Sequence, residues 1–366
     1  MTVWRLSYLI LAILLIGGCT RSKHLSRKLE PFGARPRPQP AVSFDGRMNL
    51  VYERKIKGSV DSPIRGDGQY LGFNSTYQRF MLLDQKTGDQ KARIKNRYGL
   101  AFPPLMHDSA VILVQKVPYG RVDYINLYTT GKTAERGVKE ISSEPIIAID
   151  RLILGTADGL RFLTLPDLLP DGDTRGEGAI YPGPVFDSGI VYYVADKRQM
   201  TARDVEKDLV LWQDSLEADA ISKISFGRFI YLGLADGRLV ALDKVDGHKV
   251  WEHFFILPVR GEVAEYGEWL YVGGTDRRIY CLAISDGREI WSFETEGIVT
   301  ATPVVWYPAV VVGSQDRKLY SLHLETGALL DSWQLQGAIT EAVVIADDRL
   351  YVADRKNRIY CFEGKK

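Results

Sequence analysis

Short runs of β-branched and aromatic residues recur along the chain at a nearly constant interval. In the clearest copy, an apolar run at residues 229–232 ends at Gly233, and the acidic turn at 235–237 leads into a second run at 238–242. Aligned on the small residue, the pattern returns every 38 to 42 residues. The eight alignment points are Gly72, Val114, Gly155, Ala195, Gly233, Gly273, Gly313 and Ala353.

Each unit is predicted to hold short strands joined by tight turns. Asp-Gly and Thr-Gly pairs, as at 246–247 and 87–88, separate the apolar runs, and glycine accepts the positive φ that such turns demand. No window shows a sustained 3.6-residue period, so helices should be few. Units of about 40 residues with four strands each predict an all-β fold, an eight-bladed β-propeller whose ring protects its sheet edges.

The ends of the repeat suggest how the ring closes. The last unit has strands at 349–352 and 358–362 and then ends without a fourth strand. The unmatched apolar segment at residues 49–56 comes just before the first unit. We therefore expect residues 46–366 to form one propeller in which this N-terminal strand completes the last blade.

The first 18 residues are typical of an export signal. Arg5 precedes an apolar run at 8–16, which is about half the length of a membrane-spanning helix. The string Leu15-Ile16-Gly17-Gly18-Cys19 resembles a bacterial lipobox, which implies cleavage before Cys19 and a lipid on its thiol. The alternative is a plain signal peptide with an incidental cysteine.

Residues 19–45 are predicted to be a flexible tether. Six basic residues and four prolines lie between positions 21 and 40, a composition that cannot bury apolar surface. The tether is either solvated or in contact with anionic head groups. By resemblance to known sorting rules, Thr20 after the cysteine points to the outer membrane of a Gram-negative cell.

Composition and charge exclude several classes of protein. Hydrophobic residues make up 45% of the chain and the net charge is +1, which excludes wholesale disorder. The basic residues of the tether leave the propeller mildly acidic, so no nucleic-acid partner is expected. Cys281 and Cys361 are predicted to occupy the same strand position two blades apart, too far for a disulfide, and to be structural thiols.

The string Ala241-x-Asp243-x-x-Asp246-Gly247-x-x-x-Trp251 resembles the repeat of the pyrroloquinoline quinone (PQQ) type of propeller. In that family the tryptophan of this repeat locks one blade against the next. The resemblance assigns blade docking to Trp212, Trp251 and Trp291. Trp333 comes two residues late in its unit, which implies looser docking there.

The same repeat occurs in quinone-dependent dehydrogenases and in the BamB-type lipoproteins of the outer-membrane β-barrel assembly machinery. The sequence has no adjacent cysteines, no enzyme motif and no metal-ligand spacing, so no catalytic residue, cofactor or metal is expected. The nearest calcium candidate is Asp171 and Asp173 with Glu177, which we interpret as an exposed turn. The carboxylates that recur at hairpin turns also need no ligand, and they are Asp158, Asp196, Asp236, Asp276 and Asp316.

One string resembles the partner-contact motif of the BamB type, Leu-x-Leu-Arg-Gly-Glu. Residues 257–262 are Leu257-Pro258-Val259-Arg260-Gly261-Glu262. The resemblance implies that Leu257, Val259, Arg260 and Glu262 contact the periplasmic domains of a barrel-forming assembly protein. An exposed arginine flanked by aliphatic residues suits an interaction hot spot. The alternative is an ordinary inner strand with a chance arginine.

Together these features predict a non-catalytic, lipid-anchored docking protein on the periplasmic face of the outer membrane, monomeric within a complex. Its expected partners are the barrel-assembly protein and, through the lipid, the membrane. Two alternatives stay open at this point. One is a quinone-dependent oxidoreductase or a small-molecule sensor that binds in the central channel, and the other is an adhesive propeller for a cell-wall polymer or another lipoprotein.

Overall fold

The computed structural model describes residues 44–365, apart from positions 59, 61, 63, 67–68, 77–78, 96–98, 116–119, 128 and 130. The predicted signal peptide, the lipid-anchor residue Cys19 and nearly all of the predicted tether lie outside the described residues. Every regular element in the described part is a β-strand. None of the described residues forms a helix that is long and apolar enough to cross a membrane.

The strands form eight antiparallel four-stranded sheets, here called blades, arranged in a ring. The first described strand is β1 (Met48–Lys55). Blade 1 is β2 (Arg65–Gly66), β3 (Tyr70–Ser75), β4 (Arg79–Asp84) and β5 (Gln90–Lys95); blade 2 is β6 (Leu105–His107), β7 (Ala110–Gln115), β8 (Arg121–Asn126) and β9 (Lys132–Gly137); blade 3 is β10 (Ile146–Ala148), β11 (Arg151–Thr156), β12 (Gly159–Thr164) and β13 (Pro170–Asp173); and blade 4 is β14 (Val185–Asp187), β15 (Ile190–Ala195), β16 (Gln199–Asp204) and β17 (Leu209–Ser215).

The second half of the ring repeats this plan. Blade 5 is β18 (Ser225–Phe226), β19 (Ile230–Gly233), β20 (Arg238–Leu242) and β21 (Lys249–Phe254); blade 6 is β22 (Ala264–Tyr266), β23 (Trp269–Gly273), β24 (Arg278–Ala283) and β25 (Glu289–Glu294); blade 7 is β26 (Val304–Trp306), β27 (Ala309–Gly313), β28 (Lys318–His323) and β29 (Leu329–Gln334); and blade 8 is β30 (Val344–Ala346), β31 (Arg349–Asp354), β32 (Arg358–Gly364) and β1.

The N-terminal strand closes the ring as predicted. β1 pairs antiparallel with β32, from Met48 opposite Gly364 to Lys55 opposite Arg358. The innermost strands β2 and β30 lie in contact, so blade 1 is the neighbour of blade 8. Backbone hydrogen bonds within blade 8 therefore join the two ends of the ring, and blade 8 packs on blade 1 through side chains.

The apolar core lies between the blades rather than within one layer. The described residues form eight apolar clusters, and each cluster joins two neighbouring blades. This follows from the strand pattern, because the middle strands of each blade are buried on both faces. All eight predicted units coincide with one blade each, and each alignment residue lies in the second strand of its blade.

Candidate functional site

A tryptophan on the fourth strand docks each of blades 4, 5 and 6 onto the blade that follows. Trp251 of β21 lies opposite Ala241 of β20, and its indole Nε1 donates to the Ile284 carbonyl of blade 6 at 2.7 Å. The ring packs on Gly287, whose φ is +71°, and a Cβ there would come within 2.5 Å of the indole. Trp212 with Gly247, and Trp291 with Gly327, repeat this arrangement.

Blade 8 docks onto blade 1 through a tyrosine that the repeat pattern did not reveal. Tyr52 of β1 lies opposite Cys361, as Trp291 lies opposite Cys281. Its hydroxyl donates to the Gln85 carbonyl at 3.0 Å, and its ring packs on Gly88. A bulge in β1 between residues 50 and 52 shifts the register, so counting from the turn would not have identified this position.

Between blades 7 and 8, an aspartate occupies the docking register, that is, the fourth-strand position held by tryptophan in blades 4 to 6. Asp331 lies opposite Ser321, and its carboxylate accepts the Met48 backbone N–H at 2.7 Å. Trp333 lies two residues further along β29, where its ring contacts Phe362 at a centroid distance of 5.2 Å. Trp333 thus contacts blade 8, but away from the register position used by the other three tryptophans.

The two cysteines of the propeller and the recurrent aspartates have structural roles. Cys281 and Cys361 are buried free thiols in equivalent register positions, and burial raises the pKa of Cys281 to about 12 and that of Cys361 to about 11. The turn aspartates accept hydrogen bonds from nearby backbone or side-chain donors. For example, Asp196 accepts the Ala179 N–H at 2.9 Å and Asp316 accepts the Glu296 N–H at 3.0 Å.

The carboxylates considered as a calcium site are each paired with a different arginine. Asp171 binds Arg151 at 2.6 Å, and Asp173 binds Arg175 at 3.1 Å. Glu177 binds Arg203 at 2.6 Å and also accepts the Tyr193 hydroxyl. Their charges are compensated within the protein, and they do not converge on one point as calcium ligands would.

The predicted partner motif lies in the connection that leads from β21 to β22. Leu257 is 45% exposed and Arg260 is also exposed, with no hydrogen bond or ion pair to any residue that the structure describes. Thr275, in the turn between β23 and β24, donates to the Pro258 carbonyl at 3.0 Å. The connection is therefore fixed against blade 6 while two of its side chains point outward.

Val259 differs from the expectation for a partner contact. It is fully buried in the cluster between blades 5 and 6. Forty residues later the same position is Val299, and forty after that it is Ile339, and both are also fully buried. A partner cannot reach Val259 without local rearrangement, and comparison of the repeats could have identified it as a core position.

The same comparison shows that this connection differs from those of the next two blades. Phe254 and Ile256, which lie three residues and one residue before Leu257, are 65% and 86% exposed. At the positions of Phe254, Ile256, Leu257 and Arg260, the following connection has Glu294, Glu296, Gly297 and Thr300, and the next has Gln334, Gln336, Gly337 and Thr340. Residues 254–260, here called the docking stretch, thus replace polar and small residues with exposed apolar ones and one unpaired arginine.

Glu262, the last residue of the predicted motif, belongs to a charge network in the central channel. Its carboxylate lies 3.3 Å from Lys223, which pairs with Glu144 at 2.7 Å. Glu144 in turn binds Arg65 at 3.0 Å. These residues begin or precede the innermost strands of blades 1, 3, 5 and 6. Side chains from next-but-one blades can meet only within the channel, so the network crosses it.

The network changes the electrostatics at this end of the channel. Burial alone would lower the pKa of Lys223, but the carboxylates of Glu144 and Glu262 outweigh this effect and raise it. Lys223 is therefore held as a cation between two carboxylates. A ligand that entered the channel from this side would have to bind or displace these paired charges, and the network holds Glu262 at the base of the docking stretch.

Comparison with known proteins shows which family the repeat resembles. Residues 168–253 and 255–343 match the family model described as outer membrane protein assembly factor BamB. The chain therefore has a PQQ-like propeller fold, and the two matched segments, just under half of its length, resemble BamB. The matched segments contain the three docking tryptophans and all of the docking stretch except Phe254. No curated protein sequence matches the chain significantly.

Solved structures share the fold at low sequence identity. The computationally designed Ika8 protein is 15% identical, with a TM-score of 0.73 over 84% of this chain and 97% of that one. The quinohemoprotein alcohol dehydrogenase from Comamonas testosteroni is 10% identical, with a TM-score of 0.71 over 87% and 77%. BamB from Moraxella catarrhalis is 12% identical, with a TM-score of 0.48 over 87% and 100%. At these identities the first two show a common fold and no common activity.

Proposed function

We propose that this BamB-like propeller is a non-catalytic, lipid-anchored docking protein that assists assembly of outer-membrane β-barrel proteins from the periplasmic side. The observation that carries the proposal is the docking stretch, where exposed apolar residues and Arg260 replace the polar residues of the neighbouring repeats. The family match supports the assembly role. Cys19 would carry the lipid, and residues 20–45 would span from the membrane to the ring.

The chemistry of the docking stretch suits a protein partner. Phe254, Ile256 and Leu257 offer apolar area that is costly to leave in water. Arg260 adds a planar group that can donate to carboxylates or backbone carbonyls in pairs. Because Thr275 and the buried Val259 hold the connection in place, a partner can bind it with little ordering cost.

The test compares two arginines on opposite faces of the ring. Arg260→Ala should abolish co-purification of the barrel-forming assembly protein from detergent-solubilised envelopes, because removal of a central arginine typically costs 2 kcal/mol or more, that is about thirtyfold in affinity. The control Arg228→Ala changes an exposed arginine in the turn between β18 and β19, at the other end of the sheet. It should co-purify as the wild type does.

Two results would count against the proposal. Undiminished co-purification with Arg260→Ala would exclude the docking stretch as the contact, and equal loss in both arginine variants would indicate a general charge effect. Thermal unfolding of both variants should match the wild type, because neither side chain is buried.

A parallel variant, Cys19→Ala, should move the protein from the membrane fraction to the soluble periplasmic fraction.

A further inference from the structure

A large cavity separates blades 2 and 3. Its volume is about 570 Å³, and its walls come from the ends of β9 and β11, from β12 and β13, and from the connections that follow β9, β11 and β13. Pockets of this size accommodate small organic ligands. The cavity lies between two blades and away from both the central channel and the docking stretch.

The matching place between blades 4 and 5 is nearly filled. There the space between the end of β17 and strands β20 and β21 is about 60 Å³. The Arg238 side chain occupies it and pairs with Asp236, Glu217 and Glu252. Lys249 pairs with the same two glutamates and completes the filling.

Backbone differences at two positions open the cavity in blade 3. In blade 5, Arg238 begins the third strand opposite Leu234, and in blade 3, Gly159 begins the third strand opposite Thr156. Gly159 therefore occupies the position that Arg238 has in blade 5. Gly159 has φ +112°, and a Cβ there would lie 2.2 Å from the Thr174 carbonyl, so no side chain fits. In the fourth strands, Pro170 lies opposite Leu163 just as Lys249 lies opposite Leu242. Pro170 therefore occupies the position that Lys249 has in blade 5. The cavity is thus built into the backbone.

The lining combines an apolar floor with a charged mouth. Val138, Phe162 and Leu163 are buried apolar residues. The charged side chains are Arg136, Lys139, Arg161 and Arg175 against Glu140, Asp158 and Asp173.

Two of these carboxylates are already compensated within the wall. Asp158 pairs with Arg161 at 3.6 Å, and Asp173 pairs with Arg175 at 3.1 Å. Arg136 donates through Nε to the Leu168 carbonyl at 2.9 Å, which fixes its guanidinium at the wall. Arg136 and Lys139 then face one remaining carboxylate, that of Glu140, so the mouth has a net positive charge.

We infer that the cavity between blades 2 and 3 binds a small amphipathic anion, whose apolar body contacts Phe162 and Val138 and whose carboxylate or phosphate group binds Arg136 and Lys139. Burial of the body supplies affinity in proportion to apolar area. The positive mouth selects the anionic head, because charge-assisted hydrogen bonds from arginine to oxyanions are strong and directional.

The probe is anilinonaphthalene sulfonate, whose fluorescence rises in an apolar site. We expect one saturable site in the wild type, and about tenfold weaker binding of its uncharged analogue phenylnaphthylamine, as expected for the loss of one ionic contact. Octanoate and octyl phosphate then compete for the dye. Displacement by one of them identifies the head group that the site prefers, and displacement by neither overturns the proposal.

Variants locate the site. Arg136→Gln and Lys139→Gln should each weaken dye binding about tenfold, and Val138→Trp should block it by filling the floor. Arg228→Gln, an exposed arginine far from the cavity, is the control and should bind as the wild type does. Lys139 is exposed, so its variant tests the site even if another variant unfolds. Unchanged binding in Arg136→Gln and Lys139→Gln, or equal binding of the uncharged dye, would contradict the inference.

Discussion

Blades 4 to 6 and blades 1 to 3 share one strand plan but differ in what joins each blade to the next. In blades 4 to 6 the register position in the fourth strand holds Trp212, Trp251 or Trp291. In blades 1 and 2 the same position holds Ala92 or Ala134. Blades 1 and 2 thus hold their place through backbone hydrogen bonds and the apolar clusters between blades, without a tryptophan. The residue at this outer position can therefore differ from blade to blade.

This difference separates two kinds of outer interface. Where tryptophan docks, the indole covers the turn of the next blade and leaves little free volume. Between blades 2 and 3, where this position is Ala134, the cavity of about 570 Å³ opens beyond the end of β9. The half of the ring with tryptophan contacts thus carries the docking stretch, and the half without them carries the candidate ligand cavity.

The first prediction concerns the junction where the two halves meet across blade 8. Deletion of residues 46–57 should prevent stable folding, because it removes β1 and exposes the edge of β32 and the cluster around Tyr351. Thermal unfolding followed by circular dichroism measures the effect. Deletion of residues 20–40, which precede the ring, is the control and should leave the melting temperature unchanged. A folded protein with a wild-type melting temperature after loss of β1 would refute closure by this strand.

The second prediction compares one register position in the two halves. Trp251→Ala should lower the free energy of unfolding by about 3–5 kcal/mol, because it removes a buried aromatic ring and its bond to the Ile284 carbonyl. Ala134→Gly, at the equivalent position of blade 2, should cost about 1 kcal/mol or less. Urea titration gives both values. Similar losses in the two variants would mean that the halves do not differ in docking energy.

The third and smallest prediction concerns the tyrosine that takes the place of tryptophan at the closure. Tyr52→Phe should lower stability by about 1 kcal/mol, because it removes the hydrogen bond to the Gln85 carbonyl but keeps the ring over Gly88. Burial raises the pKa of Tyr52, so the hydroxyl remains a donor at neutral pH. Tyr266→Phe, at an exposed tyrosine, should be neutral in the same urea titration. A loss as large as that of Trp251→Ala would mean that the hydroxyl does more than donate one bond.

The sequence was sufficient to predict the all-β ring, the number of blades and its closure, because each rests on a repeated pattern. Glycine at the turns, for example Gly287, and tryptophan four residues later define the unit. The roles of Tyr52 and Asp331 could not be predicted, because both occupy the docking register with a different residue type. In β1 a bulge also breaks the spacing from the turn.

The candidate sites were only partly predictable. Leu257 and Arg260 could be named from a motif, and the structure leaves both exposed, whereas Val259 is a core residue of the repeat. No motif in the sequence marks the cavity between blades 2 and 3. The cavity forms because Gly159 and Pro170 lack the long side chains with which Arg238 and Lys249 fill the equivalent space. Such a site becomes visible only when pairing registers of different blades are compared.

The position of β1 has a mechanical consequence. Any tension carried by the chain before Phe44 enters the ring at the Met48 end of this strand. A pull directed along β1 acts at right angles to the hydrogen bonds of its seven residue pairs with β32 and loads them together, in shear, rather than opening them one after another. The strand that completes the ring is therefore also placed to resist force applied through the preceding chain.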